Sequence, residues 1–138
     1  MIALLLLAGA VTASPPLSVP DLIARKADYQ NKTVTVRGWM GACDPLGCFL
    51  HSTVAGAKRR TLDADRRTWL SIGSVGHAFD DQAIRLRGQA VLLRGRFNGT
   101  CLASHEALSS TGAITVCADR VPELQPDGPQ SLTPVKDR

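Results

Sequence analysis

At 138 residues the chain has room for one domain built on a single core with short tails, which excludes a two-domain arrangement. Sixteen Lys and Arg against twelve Asp and Glu leave a formal charge of +4. That excess mildly favours anionic partners but falls short of the basic stripe a dedicated nucleic-acid binder carries.

Residues 1–13 read as a secretory signal peptide. An apolar run from Ile2 to Val11 is followed by small residues at Val11 and Ala13, in the minus-three and minus-one positions of a cut before Ser14. The run is too short for a membrane-spanning helix. No Lys or Arg lies near Met1. Ala10 stands where a lipoprotein signal carries its cysteine, so lipid anchoring is not expected. Residues 14–17 form a Pro-rich lead-in. Ser18 then has the chemistry of an N-cap, with Pro20 and Asp21 in the first helical turn and Leu22, Ile23 and Ala27 along one side.

A first strand is expected from Lys32 to Ala42, then the turn Cys43-Asp44-Pro45-Leu46-Gly47-Cys48, then a second strand from Phe49 to Val54. A charged loop from Lys58 to Arg67 precedes a third strand at Thr68 to Ile72. The segment from Gly73 to Gly88 has room for a short helix around Ala78 to Ile84. A fourth strand follows at Gln89 to Phe97, a long connection at Thr100 to Gly112, and a fifth strand at Ala113 to Arg120. The polar, Pro-containing tail, 122–138, is expected to be disordered.

One pattern occurs twice. Val34-Thr35-Val36-Arg37-Gly38-Trp39-Met40 is echoed by Val91-Leu92-Leu93-Arg94-Gly95-Arg96-Phe97. Both copies alternate as half-buried strands do, and both place a glycine where a strand would bend. Five strands with Gly-marked bends predict a mainly β domain over 18–121: a five-stranded OB-like Greek-key barrel with an N-terminal helix, in which the first and fourth strands lie side by side.

The runs Ser18-Val19-Pro20-Asp21-Leu22-Ile23, Tyr29 to Gly38, Trp69-Leu70, Leu86 to Val91 and Arg94 to Phe97 resemble a group of small exported bacterial proteins of OB-like fold. The resemblance spans roughly residues 18 to 121 and its motifs are structural. It implies a barrel and an envelope location; the four cysteines are not part of its pattern.

Those cysteines, Cys43, Cys48, Cys101 and Cys117, are even in number in a chain expected to reach an oxidising compartment. Three pairings are open. Cys43 with Cys48 and Cys101 with Cys117 is favoured because each joins neighbours across a local loop, stabilising by roughly 2 and 3 kcal/mol in the chain-entropy model. A zinc site from Cys43, Cys48 and His51, with His105 beside Cys101, is the competing reading. The separation of Cys43 from Cys48 is wide for a zinc pair and no second matched pair exists, so neither metal nor cofactor is expected.

No Gly-x-Ser-x-Gly elbow accompanies His51, His77 and His105, so hydrolase chemistry has no motif. Asp63 and Asp65 among Arg59, Arg60, Arg66 and Arg67 hold the ingredients of a cation-dependent phosphodiesterase, although alternating charge in one loop is usually a solvated surface. Single-stranded nucleic acid binding relies on stacked aromatics along a basic groove, and two Trp, one Tyr and three Phe supply few. Binding without catalysis is the leading expectation. OB barrels bind on the face of their second and third strands, where the alternation puts His51 and Trp69. Arg37, Trp39, Arg94 and Arg96 are expected outside the barrel on the first and fourth strands, a patch suited to a phosphate, a sugar ring or a protein acid. These six are the candidate ligand residues of an exported, disulfide-braced module whose partner is an envelope component or protein.

Overall fold

The computed structural model describes residues 14–45, 47–99 and 122–136. Its strands are β1 (Leu17–Ser18), β2 (Thr33–Asp44), β3 (Gly47–His51), β4 (Trp69–Gly73), β5 (Ala90–Asn98), β6 (Glu123–Pro126) and β7 (Leu132–Pro134). β2 pairs antiparallel with β3, β3 with β4, β4 parallel with β6, β6 antiparallel with β5, and β5 antiparallel with β2, which closes a five-stranded mixed barrel. The expected neighbours therefore meet: Val34 lies opposite Gly95 and Gly38 opposite Val91. Two short strands extend the barrel, β1 beside β2 and β7 beside β5.

Alternation along the strands fills the interior. Val34, Val36 and Met40 of β2 meet Leu50 of β3, Leu70 and Ile72 of β4, Val91, Leu93 and Phe97 of β5, and Leu124 of β6 in one buried cluster. Each large side chain here stabilises by roughly 1.5–3 kcal/mol. The alternation slips once. Met40 faces Leu50 and Cys43 faces Cys48, so β2 spends one residue more than β3 over this interval and carries a bulge at Gly41 and Ala42. The bulge turns Cys43 back toward the interior, where it is bonded to the buried Cys48. This disulfide closes the hairpin and also serves as core.

The N-terminal helix forms where the capping chemistry places it. In α1 (Val19–Ala24) the Ser18 hydroxyl accepts from the Asp21 N–H, and Val19 and Leu22 enter the core. One turn, α2 (Lys26–Tyr29), follows. Gln30 then clamps the far end of β5, donating to Asn98 Oδ1 at 3.0 Å and accepting from the Gly99 N–H at 2.7 Å. α3 (Val54–Lys58) is capped by Thr53. The helix between the third and fourth barrel strands is α4 (His77–Arg85), which inserts Phe79 and Ala83 into the cluster. No helix among the described residues is long and apolar enough to cross a membrane.

The C-terminal reading is corrected. The fifth barrel strand is β6, and the tail expected to be disordered carries both β6 and β7. Leu124 and Leu132 are the reason, since each buries fully or nearly so against the barrel, while the prolines fall at strand ends where a missing N–H costs no ladder bond. The strand expected at Ala113 to Arg120, the Cys101 and Cys117 pair, His105 and the signal segment 1–13 lie outside the described residues.

Candidate functional site

The outward faces of β3 and β4 bring Phe49, His51, Trp69 and Ser71 together, as their alternation implies. Trp39, His51 and Trp69 stand in one cross-strand row over three adjacent strands. The row is filled in. Trp69 is 4% exposed: Arg66 stacks on its ring at 3.6 Å, Phe49 meets it edge-on at 5.7 Å, and its indole N–H donates to the Asp63 carbonyl at 2.8 Å. Ser71 is fully buried, and its hydroxyl has no partner among the described residues. Single-stranded nucleic acid needs open aromatic faces, and here an arginine already occupies that of Trp69.

The loop before β4 is ordered by its own charges. Asp65 caps the 3-10 turn Arg66–Thr68 and takes a two-point hydrogen bond from the Arg67 guanidinium, at 3.0 Å to each oxygen. Those bonds hold the Asp65 carboxyl below its ordinary range and raise Arg67. Asp63 accepts from Arg59 and from the Asp65 N–H. Both carboxylates thus serve the loop, and the described residues hold no cluster of three metal-binding side chains.

His51 is 4% exposed. A methyl placed on Gly41 would lie 2.5 Å from its ring and one on Gly56 would lie 3.2 Å from Nδ1, so the imidazole sits between β2 and α3 in space that two glycines leave open. Burial holds its pKa below the ordinary value of 6.5, with the Asp63 carboxylate pulling weakly the other way. The folded state therefore prefers neutral His51, whereas the unfolded chain takes the proton at its ordinary value. The resulting stability is complete above about pH 6.5 and is lost as pH falls through the folded value, at no more than about 1.4 kcal/mol per pH unit. Urea midpoints measured from pH 7.5 down to 5.5 should fall in the native protein and fall less in His51→Gln.

Open space lies instead on the outward face of β2 and β5. There Thr33, Thr35, Arg37 and Trp39 stand opposite Arg96, Arg94, Leu92 and Ala90. Arg37, Arg94 and Arg96 are exposed and Trp39 is half-buried. A cavity of about 650 Å³ is lined by Thr35, Leu92, Arg94, Thr133 and the β6–β7 turn from Asp127 to Ser131. A second, of about 610 Å³, is lined by Arg25, Tyr29, Lys32, Thr33, Thr35 and Arg94 together with Ser14, Pro15, Leu17 and Val34. Thr35 and Arg94 belong to both, so the two adjoin across the sheet.

Arg94 stands at that junction. Its N–H donates to Ser131 O and its carbonyl accepts from the Asp127 N–H, which ties the β6–β7 turn to β5. Its Nε lies 3.3 Å from Asp127 Oδ2. Of the six candidate ligand residues, the structure groups Arg37, Arg94 and Arg96 on this face and His51 with Trp69 on the other, Trp39 lying at the border. Arg25, Lys32 and the Asp127 turn are contributions the sequence reading missed. Their only sequence signal is polar character at the ends of helices and strands. No protein-family model matches the chain, and no curated protein matches it either.

Proposed function

We propose that this chain is a binding module of the bacterial cell envelope, working outside the cytosol and without catalysis, which holds an anionic group of its ligand at Arg94. The observation that carries the reading is the meeting of two cavities at that arginine, with Arg25 and Lys32 lining one of them and Arg37 and Arg96 flanking on the same face. Charges this close add within a Debye length of about 8–10 Å, and a guanidinium recognises a carboxylate or phosphate through two parallel N–H bonds. Thr35 and Thr133 add neutral hydroxyls beside it. The Cys43–Cys48 disulfide supports an oxidising location, where such bonds persist.

The test is a titration of the isotope-labelled protein with inorganic phosphate, read by amide chemical shifts. Shifts should concentrate at Thr35, Arg94 and Thr133, and Arg94→Gln should weaken binding about tenfold, as removal of a charge-assisted hydrogen bond does. Unchanged affinity in Arg94→Gln would remove the groove from consideration. Shifts centred on Phe49 and Trp69 with an oligonucleotide would instead favour the nucleic-acid reading.

A further inference from the structure

The chain holds two asparagines, Asn31 and Asn98, and the second is followed by glycine. An asparagine side chain is most open to attack by the next backbone nitrogen when that nitrogen belongs to glycine, which has no Cβ to crowd the approach. Packing imposes the glycine here. A Cβ added to Gly99 would lie 2.8 Å from Lys26 Cβ and 2.8 Å from the Phe97 ring, so α2 closes on the end of β5 only over a bare backbone. The fold thus needs the neighbour that puts Asn98 at chemical risk.

Gln30 answers that risk. Its Oε1 accepts from the Gly99 N–H at 2.7 Å, and its Nε2 donates to Asn98 Oδ1 at 3.0 Å. A backbone N–H can only donate, so it fixes which end of the Gln30 amide faces it and leaves the other end as the donor to Asn98. The next residues hold Gln30 against β5, because the Asn31 N–H donates to the Phe97 carbonyl and the Phe97 N–H to the Lys32 carbonyl. Asn98 itself is the last residue of β5 and pairs with Glu123 of β6.

We infer that Asn98-Gly99 is a site of spontaneous deamidation that the Gln30 amide holds closed in the folded protein. In that reaction the Gly99 nitrogen gives its proton to hydroxide and attacks Asn98 Cγ. The new N–Cγ bond closes a five-membered ring, the Cγ–Nδ2 bond breaks, and ammonia leaves with a proton from water, which regenerates hydroxide. Water then opens the ring at either carbonyl, leaving aspartate or isoaspartate at position 98. Gln30 opposes the first two requirements: it engages the proton that must leave, and it holds the side-chain carbonyl turned toward itself. The strand opposes the third, since ring closure rotates ψ of Asn98 away from its extended value. Conversion would set a carboxylate opposite Glu123, and isoaspartate would add a main-chain carbon where β5 meets the strand that closes the barrel.

The experiment incubates the oxidised native protein, Gln30→Ala, Gln30→Glu and the double variant Cys43→Ala with Cys48→Ala at mildly alkaline pH, with and without urea. Peptide mass mapping reads conversion at Asn98, with Asn31 as the internal reference. Asn98 in the folded native protein should convert at least about tenfold more slowly than in urea, and Gln30→Ala should convert about tenfold faster than native when folded and no faster in urea, as loss of the two hydrogen bonds implies. Gln30→Glu keeps an acceptor for the Gly99 N–H and should stay within about threefold of native. The cysteine variant, destabilised away from the clamp, should convert as slowly as the native protein. Equal native rates with and without urea overturn the inference, as does an unchanged rate in folded Gln30→Ala. Equal acceleration in the cysteine variant also overturns it, because opening of the whole domain would then set the rate. Should Gln30→Ala fail to fold, Gln30→Glu decides: a rate near native upholds the clamp, and a rate near that in urea overturns it.

Discussion

Gly95→Val is expected to cost about 3–5 kcal/mol, enough to leave a domain of ordinary stability largely unfolded at moderate urea. Gly95 occupies an inward position of β5 where β6 crosses it, paired with Pro126. A Cβ there would fall on the Gln125 carbonyl oxygen, with the Gln125 carbonyl carbon at 2.8 Å and Pro126 Cα at 3.0 Å. All three are backbone atoms, so no side chain can rotate away and the strand itself must move. That breaks the pairing that closes the barrel. Its counterpart Gly38 is crowded by Leu50 Cγ at 2.7 Å and His51 O at 2.9 Å, where β2 passes from β5 to β3. Gly128, where an added methyl would meet nothing within 4 Å, is the control. Urea unfolding followed by tryptophan fluorescence should show Gly128→Ala unchanged and Gly95→Val shifted to a much lower midpoint. An unshifted Gly95→Val would mean that β6 does not close the barrel at this position.

Replacing Cys43 and Cys48 together by alanine should lower stability by about 2–4 kcal/mol. Loss of the short loop closure accounts for about 2 kcal/mol in the chain-entropy model. The remainder follows from packing. Cys48 is 1% exposed in the main cluster and Cys43 packs against it, so two sulfur atoms leave the core and a cavity follows. In a domain of this size the change corresponds to a fall of roughly 10 °C in Tm. A calorimetric scan of the oxidised native protein beside the double variant measures it. Equal melting temperatures would show that the bulge at Gly41 and Ala42 holds the hairpin without the bond.

Much of the fold could be read locally. The Ser18 cap, the β2 and β5 strands with their inward glycines, and the pairing of Cys43 with Cys48 each depend on residues close in the chain, where capping, alternation and loop length act directly. The fifth barrel strand could not be read this way. Glu123-Leu124-Gln125-Pro126 has a single strongly apolar residue, and its reason for being a strand is the edge that β4 and β5 offer it. The bulge was equally hidden, because one extra residue in β2 matters only when β3 lies alongside.

The candidate site divides in the same way. Alternation assigned His51 and Trp69 to one face and Arg37, Arg94 and Arg96 to another, and the register agrees. Which face is open was decided by tertiary packing: Arg66 and Asp63 close over Trp69, while the β6–β7 turn and the segment around Arg25 and Lys32 rise beside Arg94 and leave a groove between them. The sequence by itself determined the helix cap and the alternation of the two glycine-bearing strands, and favoured the hairpin disulfide, since short-range sterics, hydrogen bonding and loop length act on each. The tertiary structure alone decided the closing strand and the groove, because both are made by segments far apart in the chain that meet only when the barrel shuts.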